Sequence, residues 1–466
     1  MYRRILQLAI LTVVLTTQAE DRLPLYQRAM IFGVPHVVQK PDFCGEASAE
    51  MYLRKLGENM DQDYIFDRSG ADPSEGRGVY AAELATALEK IGFEVGPVWI
   101  PLDDEDQLDS EFRALHADLV DQIPSIVCMH TSEENGDEHF RLVLGYDSRD
   151  DTVVYHEPAR EDGSYMKMER ERFMELWALQ GQFQWGVIRL RLDPVELEYG
   201  DQADNRTKAD YAQHVMELRE GLEEGFTVVV EEPFVLISDA HEVEVRSHAR
   251  RIVSRAVALL KKDFFTSDPE DIIDIWLFED SESYRYHSEE LFGHSPDTPY
   301  GYYSHRHKAI VLDISTGGGT LVHEMVHPFV NSNFSGCPSW LNEGLASLFE
   351  YPTSRSGHIE GLVNWRLPGL KKAIAAGELP SFEWLTRQTD DEFYGEDPGT
   401  NYSQSRYLCY YLQERGLLVD YYHAAYENRG DDPTGFETLK EILEVEDMIQ
   451  FQREWQGWIM DLQTEG

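Results

Sequence analysis

Residues 323–343 of this 466-residue chain, HEMVHPFVNSNFSGCPSWLNE, restrict the local fold more than any other segment. On a helix, the four-residue spacing of His323 and His327 puts both imidazoles on one face, with Glu324 beside them. A catalytic zinc ion needs three protein ligands and an open fourth position for water. Glu343 offers the third ligand, a carboxylate. The sequence therefore predicts a Zn²⁺ site made by His323, His327 and Glu343, with Glu324 as the general base.

The surrounding pattern supports two helices. Apolar residues such as Leu321, Met325 and Val326 recur at helical spacing after a glycine-rich turn. We expect Pro328 to kink or end this helix just after His327. A second helix that starts near Trp340 would then bring Glu343 back across the first. The alternative is a helix pair whose histidines and glutamates are only solvated.

The segments TLVHEMVHPFV and PSWLNEGLASLFE resemble the gluzincin metallopeptidases of the peptidase MA-like type, with thermolysin a more distant relative. The resemblance covers residues 205–466. It implies a small mixed sheet whose edge strand lines the cleft, a long helix from about Glu242 to Phe264, and closing helices. It also implies that Glu324 is the base of a zinc site formed by the three predicted ligands. Thermolysin-type enzymes carry an orienting aspartate where this chain has Ser347, so we expect Asn342 or Glu350 to take that role.

Hydrolysis of an amide by a metal-activated water also needs a donor for the oxyanion. Tyr402, at the start of a predicted helix 403–415, is the candidate, because a family tyrosine often stands there. His305 and His307 are weaker alternatives.

The first half of the chain contains a possible nucleophile. Cys44 precedes Gly45 and an amphipathic helix, so its thiol would lie at a helix amino terminus, where the macrodipole favours the thiolate. His139, at the head of an apolar strand, is the predicted base, and Glu157, before a proline, is the predicted acid that orients it. Gln39 could donate its amide to an oxyanion.

These segments resemble the bacteriocin-processing, double-glycine-leader cysteine peptidases and their papain-like relatives, over about residues 34–190. The resemblance implies a papain-like fold with Cys44, His139 and Glu157 as nucleophile, base and acid. Two departures are visible: the usual acid is Asp or Asn, and Gln39 is one residue closer to Cys44 than usual. The alternative is a domain that keeps the fold and only binds peptides.

Composition is consistent with an exported hydrolase. Residues 1–19 have Arg3 and Arg4, then an apolar run, then Thr17-Gln18-Ala19, which predicts a signal peptide and a periplasmic or secreted protein; an uncleaved anchor is the alternative. No later segment has the length of a membrane span. The formal net charge of −45 argues against nucleic acid or anionic lipid as a partner. Cys337 and Cys409 could pair in an oxidising compartment, but sequence does not choose among the pairings of four cysteines.

The predicted fold class is α+β, with two domains. Residues 24–192 are predicted to form the papain-like, cysteine-peptidase-like domain, 193–210 a polar linker, and 211–466 the gluzincin domain. The expected function is hydrolysis of peptide or protein substrates with Zn²⁺ as cofactor. A peptide-binding protein with a structural zinc, and an enzyme of amide or acyl transfer on cell-wall peptide, are the alternatives.

Overall fold

The computed structural model describes residues 26–132, 137–182, 184–197, 206–296, 298–299, 301–355, 357–395 and 397–463. The predicted signal peptide lies outside these residues. Contacts divide the described chain into two compact units. The first contains the residues up to Ala71 and from Arg77 to Ala209, and the second contains Asp72–Gly76 and the residues from Asp210 onward. The division falls within the predicted linker, but the assignment of Asp72–Gly76 to the second unit was not predicted. Within the second unit, the backbone N–H of Val230 donates a hydrogen bond of 2.8 Å to Oγ of Ser74, which belongs to this segment.

The first unit has a large sheet with helices. Its helices are α1 (Cys44–Leu56), α2 (Gln62–Ser69), α3 (Ala81–Ile91), α4 (Glu105–Val120) and α5 (Arg170–Trp177). Its strands are β1 (Ala29–Met30), β2 (Phe93–Glu94), β3 (Trp99–Pro101), β4 (Ser125–His130), β5 (Glu138–Asp147), β6 (Thr152–His156), β7 (Met166–Glu169), β8 (Leu179–Gln180), β9 (Trp185–Arg191) and β10 (Asp193–Pro194). The sheet order is β3-β9-β4-β5-β6-β7, with β1 on β5 and β8 on β9. The apolar strand predicted to begin at His139 is present as β5, which begins one residue earlier, at Glu138.

The centre of this sheet sets the position of the predicted catalytic residues. β4 and β5 are antiparallel, with Cys128 opposite Phe140 and Met129 opposite His139. Residues that alternate along a strand point to opposite faces, so His139 and Arg141 share one face and Phe140 the other. Cys128 is 3% exposed, as expected for a core strand residue.

The second unit has a smaller mixed sheet followed by helices. Its helices are α6 (Lys208–Gly221), α7 (Glu242–His248), α8 (Arg255–Asp263), α9 (Ser281–Phe292), α10 (Gly318–Asn333), α11 (Ser339–Leu348), α12 (Leu367–Ala376), α13 (Phe382–Arg387), α14 (Asp390–Gly395), α15 (Pro398–Glu414), α16 (Leu418–Asn428), α17 (Phe436–Leu443) and α18 (Met448–Asp461). Its strands are β11 (Thr227–Glu231), β12 (Phe234–Ser238), β13 (Ile273–Phe278), β14 (Tyr302–Ser304), β15 (Ala309–Asp313), β16 (Pro352–Arg355) and β17 (His358–Gly361).

The five-stranded sheet has the order β11-β12-β13-β15-β14. The β12–β13 and β13–β15 pairs are parallel, while β11 and β14 are antiparallel to their neighbours. β14 is therefore an edge strand. A π-helical turn, Ala249–Ser254, joins α7 to α8, so the long helix predicted from Glu242 is helical throughout.

Helix α10 continues through Pro328 to Asn333, so the prediction that Pro328 could end it is wrong. Proline removes one backbone donor, but Phe334 N still donates to Val330 O at 2.7 Å and closes the last turn. Phe329 and Val330 are at most 1% exposed, so burial of this turn stabilises the helix beyond the proline. Among the described helices, none is long and apolar enough to cross a membrane.

Candidate functional site

The three predicted metal ligands lie together on α10 and α11. Nε2 of His323 is 3.4 Å from Oε2 of Glu343, and Nε2 of His327 is 3.9 Å from the same oxygen. The three ligand atoms all lie within 4.8 Å of one another. Two atoms that bind one tetrahedral zinc ion at about 2.0–2.1 Å are roughly 3.3 Å apart, so the arrangement has the spacing of a zinc site.

The surroundings of the Glu343 carboxylate also fit a bound cation. Glu343 is 4% exposed, and its Oε2 has no hydrogen-bond partner among the described residues. A buried carboxylate oxygen without a partner costs free energy unless a cation or donor occupies the space beside it. The residues present therefore fit a Zn²⁺ ion held by two imidazoles and one carboxylate.

Each histidine has a second polar partner at its other ring nitrogen. His327 Nδ1 lies 3.0 Å from Asn342 Oδ1, which can only accept, so Nδ1 carries the proton and Nε2 is free to bind a metal. His323 Nδ1 lies 3.4 Å from Glu350 Oε1, an ion-pair contact rather than a hydrogen bond. Both residues considered as replacements for the missing aspartate therefore lie where an orienting group is needed.

Glu350 is itself fixed by a bidentate arginine. Arg366 donates from Nη2 to Oε1 at 2.6 Å and from Nε to Oε2 at 3.0 Å, and Asn364 Nδ2 donates to Oε2 at 3.1 Å. Burial alone would raise the pKa of Glu350, but His323 and Arg366 lower it to about 2. The group behind His323 is thus a carboxylate at any ordinary pH.

The pKa values of Glu343 and His323 are shifted by the same contacts. Burial alone would raise the pKa of Glu343, but the charge of His327 and the contact with His323 lower it to about 2. Burial alone would lower the pKa of His323, yet Glu343 and Glu350 raise it to about 10. The opposite shifts have one cause, the attraction between carboxylate and imidazolium.

A cavity of about 370 Å³ opens onto these ligands. It is lined by Glu324 and by residues from the edge strand, including Tyr302 and Tyr303. Tyr402 also lines it, with its ring parallel to that of His323 at 6.4 Å and an interplanar angle of 16°. Of the weaker alternatives, His305 lines the cavity, while His307 packs on Phe292 with ring centroids 5.3 Å apart.

Tyr394 also lines the cavity and was not predicted as a site residue. The hydroxyl of Tyr394 donates a hydrogen bond of 2.8 Å to Glu343 Oε1. Tyr394 lies on the short helix α14, and the sequence contains 24 tyrosines. No local spacing distinguishes it from the others.

In the first unit, Cys44 begins α1, as predicted. Its thiolate would accept a hydrogen bond from the backbone N–H of Phe140, which follows His139 in β5. However, burial raises the pKa of Cys44 to about 12, and the charges of Glu46 and Asp42 act in the same direction. Burial of this half-buried thiol thus acts against the stabilisation of the thiolate that is expected at a helix start.

His139 and Glu157 form the predicted base and acid pair. His139 Nε2 lies 2.5 Å from Glu157 Oε1, and Arg141 Nε donates to Oε2 at 2.7 Å. Burial alone would raise the pKa of Glu157, but His139 and Arg141 lower it to about 2. Nδ1 of His139 is the nitrogen left for a thiol, although no hydrogen bond joins it to Cys44 in the described part of the unit. Arg141 was missed, but its position two residues after His139 on one strand face could have indicated it.

Gln39 lies beside the same acid. Its backbone N–H donates to the carbonyl of Pro158 at 2.9 Å, next to Glu157. Its side-chain Oε1 is buried and has no hydrogen-bond partner among the described residues. Cys128, Cys337 and Cys409 are free thiols, as is Cys44.

Comparisons with known proteins concern the first unit. Residues 31–184 match the Peptidase C39 like family. A solved structure of the peptidase domain of Streptococcus ComA, described as a bi-functional ABC transporter involved in quorum sensing, is 18% identical. The match covers 34% of this chain and 99% of that chain, with a TM-score of 0.25. No curated protein matches. The chain therefore carries a Peptidase C39-like domain at residues 31–184, which indicates a function on peptides, by cleavage or by binding.

Proposed function

We propose that the second unit is a gluzincin-type zinc peptidase and that the chain is an exported enzyme that hydrolyses peptide bonds. The observation that carries the proposal is the convergence of His323, His327 and the unpartnered Glu343 Oε2 on one point. The resemblance of these two helices to gluzincins supports the same conclusion. Export is supported by the signal-peptide pattern of residues 1–19.

His323, His327 and Glu343 would hold the Zn²⁺ ion. When bound there, zinc supplies Lewis acidity and lowers the pKa of a coordinated water toward neutrality. Asn342 and Glu350 keep the two imidazoles oriented with Nε2 toward the ion. The chain's own residues would therefore meet both the ligand count and the ligand orientation of a catalytic zinc site.

Glu324 and Tyr402 supply the proton chemistry. Glu324 follows His323 directly in α10, lines the cavity and is 9% exposed. Its carboxylate would accept a proton from the attacking water and deliver it to the leaving amine. Burial and the charge of Glu343 raise the pKa of Tyr402, so its hydroxyl stays protonated and can donate to the oxyanion.

The edge strand β14 supplies a way to hold an extended substrate. Its residues Tyr302 and Tyr303 line the cavity, and β15 pairs with it on one side only. A peptide in extended conformation can add to such an edge through backbone hydrogen bonds. The first unit would act on peptides too, by cleavage or by binding.

The experiment is metal analysis of the purified full chain together with cleavage of unstructured protein substrates, with and without a chelator. We expect one equivalent of zinc and cleavage that the chelator stops and added zinc restores. Glu324→Gln should keep the zinc and lose cleavage by a factor of at least 10², because the ligands remain while the base is gone. His323→Ala should lose both. A chain that binds no zinc, or a Glu324→Gln variant that retains full chelator-sensitive activity, contradicts the proposal.

A further inference from the structure

The two oxygens of the Glu343 carboxylate have different surroundings. Oε1 accepts the 2.8 Å hydrogen bond from the Tyr394 hydroxyl. Oε2 is the oxygen that faces both imidazoles, at 3.4 and 3.9 Å, and it has no hydrogen-bond partner among the described residues. The two carboxylate oxygens therefore have different neighbours: a hydroxyl donor at Oε1 and the two imidazoles at Oε2.

Tyr394 is held in place by its helix. Phe393, the preceding residue, is fully buried in the core of the second unit, and its carbonyl accepts a hydrogen bond of 2.9 Å from Asn401 Nδ2. At the start of the same helix, Asp390 accepts a hydrogen bond from Ser339, the first residue of α11. Because α11 also contains Glu343, this hydrogen bond joins the short helix α14 to the helix of the carboxylate that Tyr394 contacts.

Tyr394 and Tyr402 have different relations to the site. The Tyr402 ring lies parallel to His323, whereas Tyr394 is 45% exposed and reaches the site through its hydroxyl. The Tyr394 hydroxyl donates a hydrogen bond of 2.8 Å to Oε1 of Glu343, and the Tyr402 hydroxyl also interacts with this carboxylate.

From this geometry we propose that Tyr394 is a positioning residue for the metal ligand: its hydroxyl occupies Glu343 Oε1, so that Oε2 alone is offered to the zinc ion. This inference rests on the proposed function of the second unit. A hydrogen bond to the second oxygen of a ligating carboxylate fixes its rotation and disfavours binding through both oxygens. It thereby keeps one coordination position free for water, which a catalytic site needs.

The test compares three single hydroxyl deletions in the full chain: Tyr394→Phe, Tyr402→Phe and Tyr286→Phe. Tyr286 is 56% exposed on α9 and serves as the control. Zinc dissociation constants are measured by competition with a chromogenic chelator, and the visible spectrum is recorded after substitution with Co²⁺. We expect Tyr394→Phe to raise the zinc dissociation constant about 10- to 100-fold and to change the Co²⁺ spectrum. Activity lost at limiting zinc should return with excess zinc.

Tyr402→Phe should instead lower kcat at saturating zinc and leave the zinc dissociation constant within about threefold of that of the unchanged chain. The reason is that loss of a single oxyanion donor destabilises the transition state. Thermal unfolding of the metal-free variants shows whether the fold is retained. If the unchanged chain binds no zinc, the proposed function and this inference both fail. If it binds zinc and cleaves, but Tyr394→Phe has the same dissociation constant and Co²⁺ spectrum, only the role of Tyr394 is overturned.

Discussion

Nδ1 of His327 donates a hydrogen bond of 3.0 Å to the side-chain oxygen of Asn342, which directly precedes the proposed ligand Glu343 in α11. One turn of α11 therefore contains both a proposed metal ligand and the group that would orient a second proposed ligand. Asn342→Leu should weaken zinc binding about 10- to 100-fold, because the imidazole loses its fixed tautomer and orientation. Competition with a chelator measures this. Asn342→Asp, which keeps the acceptor, should bind zinc within about threefold of the unchanged chain, and equal loss in both variants would contradict the role.

The local parts of this site could be predicted from the sequence, and the long-range parts could not. The spacing of His323 and His327 is a property of one helix turn, and Glu343 follows within the next helix. Tyr394 and Arg366 reach the site from separate elements, through contacts that exist only after the helices pack. The same holds for the segment Asp72–Gly76, which joins the second unit although it lies within the first in sequence.

Cys44 shows a different limit. Its place at the start of α1 could be predicted from the amphipathic pattern, and with it the macrodipole. The desolvation that opposes the macrodipole comes from tertiary packing: a methyl group added at Gly45 would lie 2.9 Å from Leu84 and 3.2 Å from Phe140. No local sequence pattern indicates how far tertiary packing desolvates the first residue of a helix.

Alkylation should reflect the raised pKa of this half-buried thiol. Because the pKa of Cys44 is raised to about 12, iodoacetamide should label it slowly at pH 7 in the folded chain, with a rate that rises about tenfold per pH unit between pH 8 and pH 10. Mapping of the labelled thiols by mass spectrometry, with urea-unfolded protein as the reference for all four cysteines, measures this. Fast labelling at pH 7 that His139→Ala abolishes would instead indicate a working cysteine nucleophile.

Glu46, two residues after Cys44, should make stability fall as pH rises. Burial raises its pKa to about 8, and its Oε2 has no hydrogen-bond partner among the described residues. A carboxyl whose pKa is higher in the folded state is most stabilising below its unfolded pKa, and this contribution is lost between about pH 4.5 and pH 8 at up to ~1.4 kcal/mol per pH unit.

Glu46→Gln should remove this loss and stabilise the folded chain at pH 9. Hydrogen exchange of peptides from α1 at pH values between 5 and 9, compared at matched intrinsic rates, reports the opening free energy of this helix. Glu89→Gln, at an exposed position on α3, is the control. If the pH dependence of the exchange persists in Glu46→Gln, another group causes it.

Glu157 should act in the opposite direction. Its pKa is lowered to about 2, from an ordinary value of 4.5, by His139 and Arg141 against the effect of burial. A carboxyl whose pKa is lower in the folded state stabilises fully above its unfolded pKa, and this contribution is lost as pH falls from about 4.5 to 2. Glu157→Gln should lack that acid-dependent loss, and at pH 7 the first unit should be less stable by about 3–5 kcal/mol, because Arg141 remains buried without its counter-ion.

Both effects are measured by urea unfolding of the full chain at pH 7, 4 and 2.5, with hydrogen exchange in peptides from β5 as the probe. Glu161→Gln, exposed and four residues away, controls for the loss of one negative charge. If Glu157→Gln and Glu161→Gln unfold at the same urea concentration at pH 7, then the contacts of Glu157 with His139 and Arg141 contribute little to stability. In that case the role of the contact between His139 and Glu157 would be limited to orienting the imidazole.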